Sequence, residues 1–257
     1  MTRHIGGRVH RSRYADFYTI LMTIDTQTLD PKRDPMGAAI LDYLTTGRAK
    51  TLTVMSSMFD DDEMPVDYLF RTTDSMPPLE LKALEMTRGT TLDVGAGAGC
   101  HALALQQHGV SVKAIDVSPL SCDAMRRRGI ADVECINLFG PRLGGGFDTI
   151  LMLMNGTGIA GKMSGLGGQI LIDSSDLSYV YQDEDGGMDI DLSGKYYGEV
   201  DYQMRYDRVE GLPFDWLYVD YPLLNAAAHE AGLDCRLVAE GDHYDYLAQL
   251  SLERTNP

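Results

Sequence analysis

Leu92-Asp93-Val94-Gly95-Ala96-Gly97-Ala98-Gly99 is the stretch that decides the fold. It ends a short apolar run and leads into Cys100–His108, which has a helical pattern closed by Gly109, so it reads as a strand–turn–helix junction. Glycines at alternate positions let the backbone take positive φ and let a ligand come close. The helix that follows turns its free N–H groups and the positive end of its dipole toward such a ligand. Asp116 lies 21 residues after Gly95, at the end of the next strand. An acid there can accept two hydrogen bonds from a ribose diol. Together they read as a site for a cofactor that contains a nucleoside.

Working outward, strand and helix patterns alternate. Strands are expected at Thr90–Val94, Val110–Ile115, Ala131–Ile136, Phe147–Met154 and Gly168–Ile172, with helices at Gly99–His108 and Pro119–Arg128. The alternation predicts a doubly wound, mostly parallel sheet with helices on both faces. Glu199–Asp207 and Phe214–Tyr221 read as an inserted β-hairpin, and Pro222–Ala231 as a helix. Asp234–Ala239 and Tyr244–Leu252 supply two closing strands, for seven in the sheet. Only Asn155–Gly167, with five glycines, joins the fourth and fifth strands, a short crossover for parallel neighbours. Upstream, Met36–Leu44 has helical spacing, while Thr51–Met55 and Val66–Arg71 read as strands around an acidic loop, Phe59–Glu63. The expected organisation is a basic extension and linker over 1–35, an N-terminal α+β cap over 36–78, and a main domain over 79–257.

Charge and spacing narrow the cofactor. The dinucleotide pattern GxGxxG/A meets Cys100 at its sixth position when begun at Gly95, and only Ala102 when begun at Gly97. Asp-x-Gly-x-Gly-x-Gly fits better. Asp93 would repel a pyrophosphate, but it suits S-adenosylmethionine, which has no phosphate and carries a sulfonium and an ammonium. The chain of 257 residues has 22 Lys and Arg against 38 Asp and Glu, a formal charge of −16. That balance favours a cationic donor and argues against DNA or RNA, whose binders need a basic footprint. The four cysteines form no CxxC pair and none of the six histidines forms a metal-type pair, so no metal is expected. Free thiols fit a cytoplasmic protein. No apolar run is long enough to span a membrane.

The sequence resembles the class I S-adenosylmethionine-dependent methyltransferases from about Leu79 to the C-terminus. The resemblance rests on LDVGAGAGCHALAL (92–105), VKAIDVSP (112–119), VECINLF (133–139), FDTILMLMNG (147–156) and GGQILID (167–173). It implies a Rossmann-like sheet with an antiparallel C-terminal strand. It also implies that Gly95, Gly97 and Gly99 line the methionine end of the donor, with Asp93 holding its amino group. Asp116 would take the ribose hydroxyls and Val117 would pack on the adenine. Asn137, in place of the acid common in the family, would accept from the adenine amino group, with Leu138 beside the ring. Met154 and Asn155 would lie near the sulfonium and the acceptor, and the 36–86 segment would pack over the donor site.

The acceptor is expected to be a small molecule. Asn155 is followed by Gly156-Thr157-Gly158 rather than by the Pro-Pro-aromatic motif of enzymes that methylate amino groups of nucleic acids. Methyl transfer is an in-line displacement that positioning alone can accelerate strongly, and a base is needed only for a protonated nucleophile. Candidate catalytic groups are Asn155, Asp173, His101 and Tyr179. His101 reads as a helix-surface residue that could touch the donor or act as a base. Tyr179, Tyr196, Tyr197 and Tyr202 form an aromatic group suited to a planar or cationic substrate, or simply to covering the hairpin. Competing readings are a protein or RNA methyltransferase, a nucleotide-dependent oxidoreductase, and a donor-binding protein without catalysis.

Overall fold

The computed structural model describes residues 27–139, 144–156, 168–182 and 195–252. In chain order the helices are α1 (Pro35–Thr46), α2 (Pro78–Met86), α3 (Cys100–Gln107), α4 (Pro119–Arg127) and α5 (Tyr221–Glu230). The strands are β1 (Leu52–Met55), β2 (Asp62–Met64), β3 (Thr91–Val94), β4 (Val112–Asp116), β5 (Asp132–Cys135), β6 (Thr149–Met152), β7 (Gln169–Ser175), β8 (Glu199–Tyr206), β9 (Val209–Glu210), β10 (Phe214–Leu217), β11 (Leu233–Glu240) and β12 (Asp245–Leu252).

The main sheet has seven strands in the order β11-β12-β7-β6-β3-β4-β5. From β7 to β5 every neighbouring pair is parallel; β12 runs antiparallel to both β7 and β11. Thr91, Leu92 and Asp93 pair with Thr149, Ile150 and Leu151. Side chains alternate across the pleat. Leu151 and Leu171 join Leu79, Ala83, Leu105 and Met125 from α2, α3 and α4 on one face. Leu92, Ile150 and Ile172 meet Leu224 and Ala228 of α5 on the other. The apolar run in β6 is buried at all four positions, as a strand covered on both faces must be. After β3 the chain moves to β4 on one side, and after β6 to β7 on the other. The carboxyl ends of β3 and β6 therefore flank the point where ligands bind in open α/β sheets.

A second sheet of five strands has the order β10-β8-β1-β2, with β9 on β8. It joins the cap and the hairpin into one unit: Leu52 faces Tyr206 and Val54 faces Met204 across some 150 residues of chain. Leu52, Tyr206 and Met204 then pack on Ala39 and Met36 of α1.

Two local expectations need correction. Asp62 and Glu63, read as the end of the acidic loop Phe59–Glu63, belong to strand β2, because Met64 pairs with Leu52 and Asp62 with Val54. Val66–Arg71, read as a strand, holds instead a 3-10 turn over Val66–Phe70 that follows Pro65 and buries Val66 and Leu69. Most of the short crossover, residues 157–167, lies outside the described residues.

Candidate donor-binding site

The glycine loop has the backbone its composition allows. Gly95, Gly97 and Gly99 have φ of 67°, 55° and 80°, in the left-handed region open to glycine. A Cβ on Gly97 would meet nothing within 4 Å, so the loop is open on its outer side there. Helix α3 begins at Cys100 with Gly99 as its cap, and no side chain of the loop caps it. The cap comes from the sheet instead. Buried Asp93 accepts a 3.1 Å hydrogen bond from the Ala102 N–H, placing an anion where the helix dipole favours one.

Asp116 closes the site from β4. Its carboxylate accepts from Gly97 N–H and from Ser118 N–H, both at 2.8 Å. Burial pushes its carboxyl up to about 6 despite these bonds. Val117, next in the chain, gives its carbonyl to the Leu29 N–H at 2.8 Å. Asn137 turns its Oδ1 to the Phe139 N–H at 3.1 Å, and Leu138 packs against the sheet core.

The cap is fastened to this loop. Asp34 caps α1 through the Gly37 N–H at 2.8 Å and accepts from the Ser118 hydroxyl. Ser118 Oγ in turn accepts from Ser121 N–H at the start of α4. A Cβ on Gly37 would stand 2.3 Å from Asp34 Oδ2 and 2.6 Å from Ser118 Oγ, so glycine permits the close approach of α1. Arg128 donates to the Ala98 carbonyl, and its guanidinium lies 4.8 Å over the Phe70 ring. Ile40, Leu69 and Ala98 share an apolar cluster that Met64, Phe70 and Met154 pack against. Cap residues thus cover the glycine loop and the end of β6 together.

Beyond β6, Met154 and Asn155 both take left-handed φ, 67° and 60°. Such a conformation costs a non-glycine residue about 1–3 kcal/mol. Asp173 holds it: its carboxylate accepts from Met154 N–H at 3.2 Å and Asn155 N–H at 2.7 Å. Burial pushes Asp173 up to about 6 as well. Asn155 Oδ1 accepts from the Ser175 hydroxyl at 3.0 Å. Tyr179 is exposed and stacks on Tyr244, with ring centroids 4.5 Å apart. Tyr196 and Tyr197 donate to Asp220 Oδ2, both at 2.6 Å, at the start of α5. Tyr202 and Tyr218 share a hydrogen bond of 3.0 Å.

His101 is not on the helix surface. It is 4% exposed, beside Arg71 at 6% and Glu80 at 5%. Its Nε2 lies 3.0 Å from Glu80 Oε2 and 3.5 Å from Arg71 Nη2. Arg71 clamps the same carboxylate with Nε and Nη2, at 2.9 and 2.7 Å. Burial alone would favour a neutral imidazole, but hydrogen bonds to Cys100 and Glu80, with the nearby Asp93 charge, push it up to about 10. Burial raises Asp93 and the His101 charge opposes it. Sequence reasoning missed Arg71, Glu80 and Asp34, which belong to no motif, and gave no role to Ser118, which lies within the 112–119 stretch. Among the described residues no group of three could hold a metal.

No family model and no curated protein matches the chain. Among solved structures, it is similar to an S-adenosylmethionine-dependent methyltransferase from Bacteroides fragilis in complex with S-adenosyl-L-homocysteine. Identity is 50%, TM-score 0.82, and the match covers 88% of this chain and 98% of that one. The chain belongs to the class I S-adenosylmethionine-dependent methyltransferases. It is also similar, at 16% identity and TM-score 0.47, to the CcbJ methyltransferase from Streptomyces caelestis, over 74% of this chain and 100% of that one. As a member of that class, the protein uses S-adenosylmethionine. Its glycine loop fits that cofactor: an open left-handed turn, a helix N-terminus and a strand-end acid converge.

Proposed function

We propose that this methyltransferase acts on a small-molecule acceptor, with its donor held between the glycine loop and Asp116. One observation carries the donor reading: three left-handed glycines lie beside the Asp116 carboxylate, which already bonds the Gly97 N–H at 2.8 Å. In this reading Gly95, Gly97, Gly99 and Asp93 receive the methionine end of the donor. Asp116 takes the ribose hydroxyls, Val117 and Leu138 flank the adenine, and Asn137 faces its amino group.

S-adenosylmethionine, when bound, supplies a methyl group on a cationic sulfur. The protein's part is to orient and enclose. Three carboxylates, Asp93, Asp116 and Asp173, give the site a field that suits a cation. Asp173 fixes the left-handed turn at Met154 and Asn155, which sets the shape of the acceptor side. Both of its oxygens are occupied by backbone N–H groups, so it acts as a brace rather than a base. His101 is enclosed by Glu80 and Arg71 and likewise does not reach an acceptor. Positioning supplies the rate enhancement.

A cap packed against the ends of β3, β4 and β6 supports a small acceptor over a polymer, and a charge of −16 speaks against nucleic acid. The unpaired cysteines fit a cytoplasmic location; no helix among the described residues is long and apolar enough to cross a membrane. The test uses donor with a radioactive methyl group and a cell extract separated into small-molecule, protein and RNA fractions. Label is expected among small molecules. Label confined to protein or RNA would contradict the proposal.

A further inference from the structure

Arg71, Glu80 and His101 form a buried three-member ionic cluster that the methyl-transfer reading leaves unused. Its members come from three places: Arg71 follows the 3-10 turn after β2, Glu80 lies in the first turn of α2, and His101 in the first turn of α3. Each is at most 6% exposed. Arg71 is fully engaged: besides its two bonds to Glu80, Nη1 donates to the Tyr68 carbonyl at 2.8 Å. Its guanidinium also lies 4.1 Å over the Tyr68 ring.

Burying charge is a poor way to gain stability. The desolvation cost matches or exceeds the attraction, and apolar side chains of similar size often do as well. The placement points to another role. His101 immediately precedes Ala102, whose N–H is the one that Asp93 accepts. Asp93 is itself buried, at 2% exposure, and needs a counter-charge to stay ionised there. Glu80 from α2 and Arg71 from the cap stand against His101, at 3.0 and 3.5 Å from its Nε2, and Cys100 and Asp93 act on its charge. Of these Arg71 is a cation, and it is committed to Glu80.

We infer that Arg71, Glu80 and His101 are positioning residues for the donor: Arg71 clamps Glu80, Glu80 holds His101, and His101 thereby fixes the first turn of α3, whose Ala102 N–H binds Asp93. Asp93 is then held where it both caps α3 and receives the donor's ammonium group. The cluster ties the cap to the methionine half of the donor site, while the ribose half depends on Asp116. The inference rests on the donor placement proposed above.

Two ligands separate the halves. S-adenosylhomocysteine carries the amino-acid end; 5′-methylthioadenosine keeps the adenosine and lacks that end. Calorimetric titration of the intact protein with each, for wild type, His101→Gln, Glu80→Gln and Asp116→Ala, tests the inference. His101→Gln is expected to weaken S-adenosylhomocysteine about 10-fold or more and to leave methylthioadenosine within 2-fold. Glu80→Gln, nearly isosteric, is expected to show the same split more weakly and stands in if His101→Gln does not fold. Equal losses for both ligands, or no loss for either, would overturn the inference. Asp116→Ala should weaken both ligands; if it weakens neither, the donor placement itself has failed.

Discussion

The two halves of the site at the carboxyl edge are built differently. The donor half, from β3 to β5, is made by short local connections: a strand, three glycines and a helix, then a strand, Asp116 and a helix. Over this edge and the end of β6 lies a cap of the opposite kind, whose sheet takes its strands from residues 52–64 and 199–217. Local turns are set by residue chemistry at fixed spacing. Long-range sheets are set by register between distant segments. One edge of one sheet is thus dictated partly by motif and partly by assembly.

Substitutions within the glycine loop probe the local half most sharply. Gly99→Ala places a Cβ 2.3 Å from Ile130 Cδ1 and 2.9 Å from Met125 Cγ, at φ 80°. Overpacking and left-handed strain together predict a loss of about 2–4 kcal/mol, read as a lower Tm. Gly97→Ala meets open space and should cost only about 1 kcal/mol of stability, yet under the proposed donor placement it should weaken donor binding. Equal stability losses at the two glycines would erase this distinction.

Asp116→Ala comes next. Loss of an ionised acceptor predicts about 1.5–3 kcal/mol of donor affinity, roughly 10- to 100-fold in Kd. Donor affinity should also fall as pH drops through about 6, where Asp116 takes a proton. Stability runs the other way. Asp116 and Asp173 hold their protons more tightly when folded, so the ligand-free protein should lose stability as pH rises from the ordinary aspartate value of 3.8 to about 6. Asp173→Asn should flatten part of that slope in a pH series of melting curves.

The join between the halves is tested by Ser118→Ala, which removes the cap of α4 and the bond to Asp34. A loss of about 1–2 kcal/mol is expected, together with weaker donor binding if α1 docking supports the Asp116 loop. The smallest effect is expected at Tyr244→Ala, which frees Tyr179 from its stack at the surface; stability should change by about 0.5 kcal/mol or less.

What was legible in the sequence follows the same division. The glycine loop, Asp116 and the strand–helix alternation could be read directly, because each is a local pattern with a physical reason for its spacing. Strand β2 could not, since Asp62 and Glu63 look like part of a solvated acid run until β1 supplies their partner strand. His101 looked like a surface residue because Glu80 and Arg71 lie 21 and 30 positions away with no motif linking them. Asp34 and Ser118 were hidden for the same reason, at a separation of 84. Buried polar networks leave no periodic trace in a chain; they show only once packing has brought their members together.

The most direct test of the donor placement is a crystal structure of the protein with S-adenosylhomocysteine bound. The account predicts the ribose hydroxyls on the Asp116 carboxylate and the amino-acid end against Gly95–Gly99 and Asp93. A ligand bound with its ribose away from Asp116, or outside the glycine loop, would contradict it.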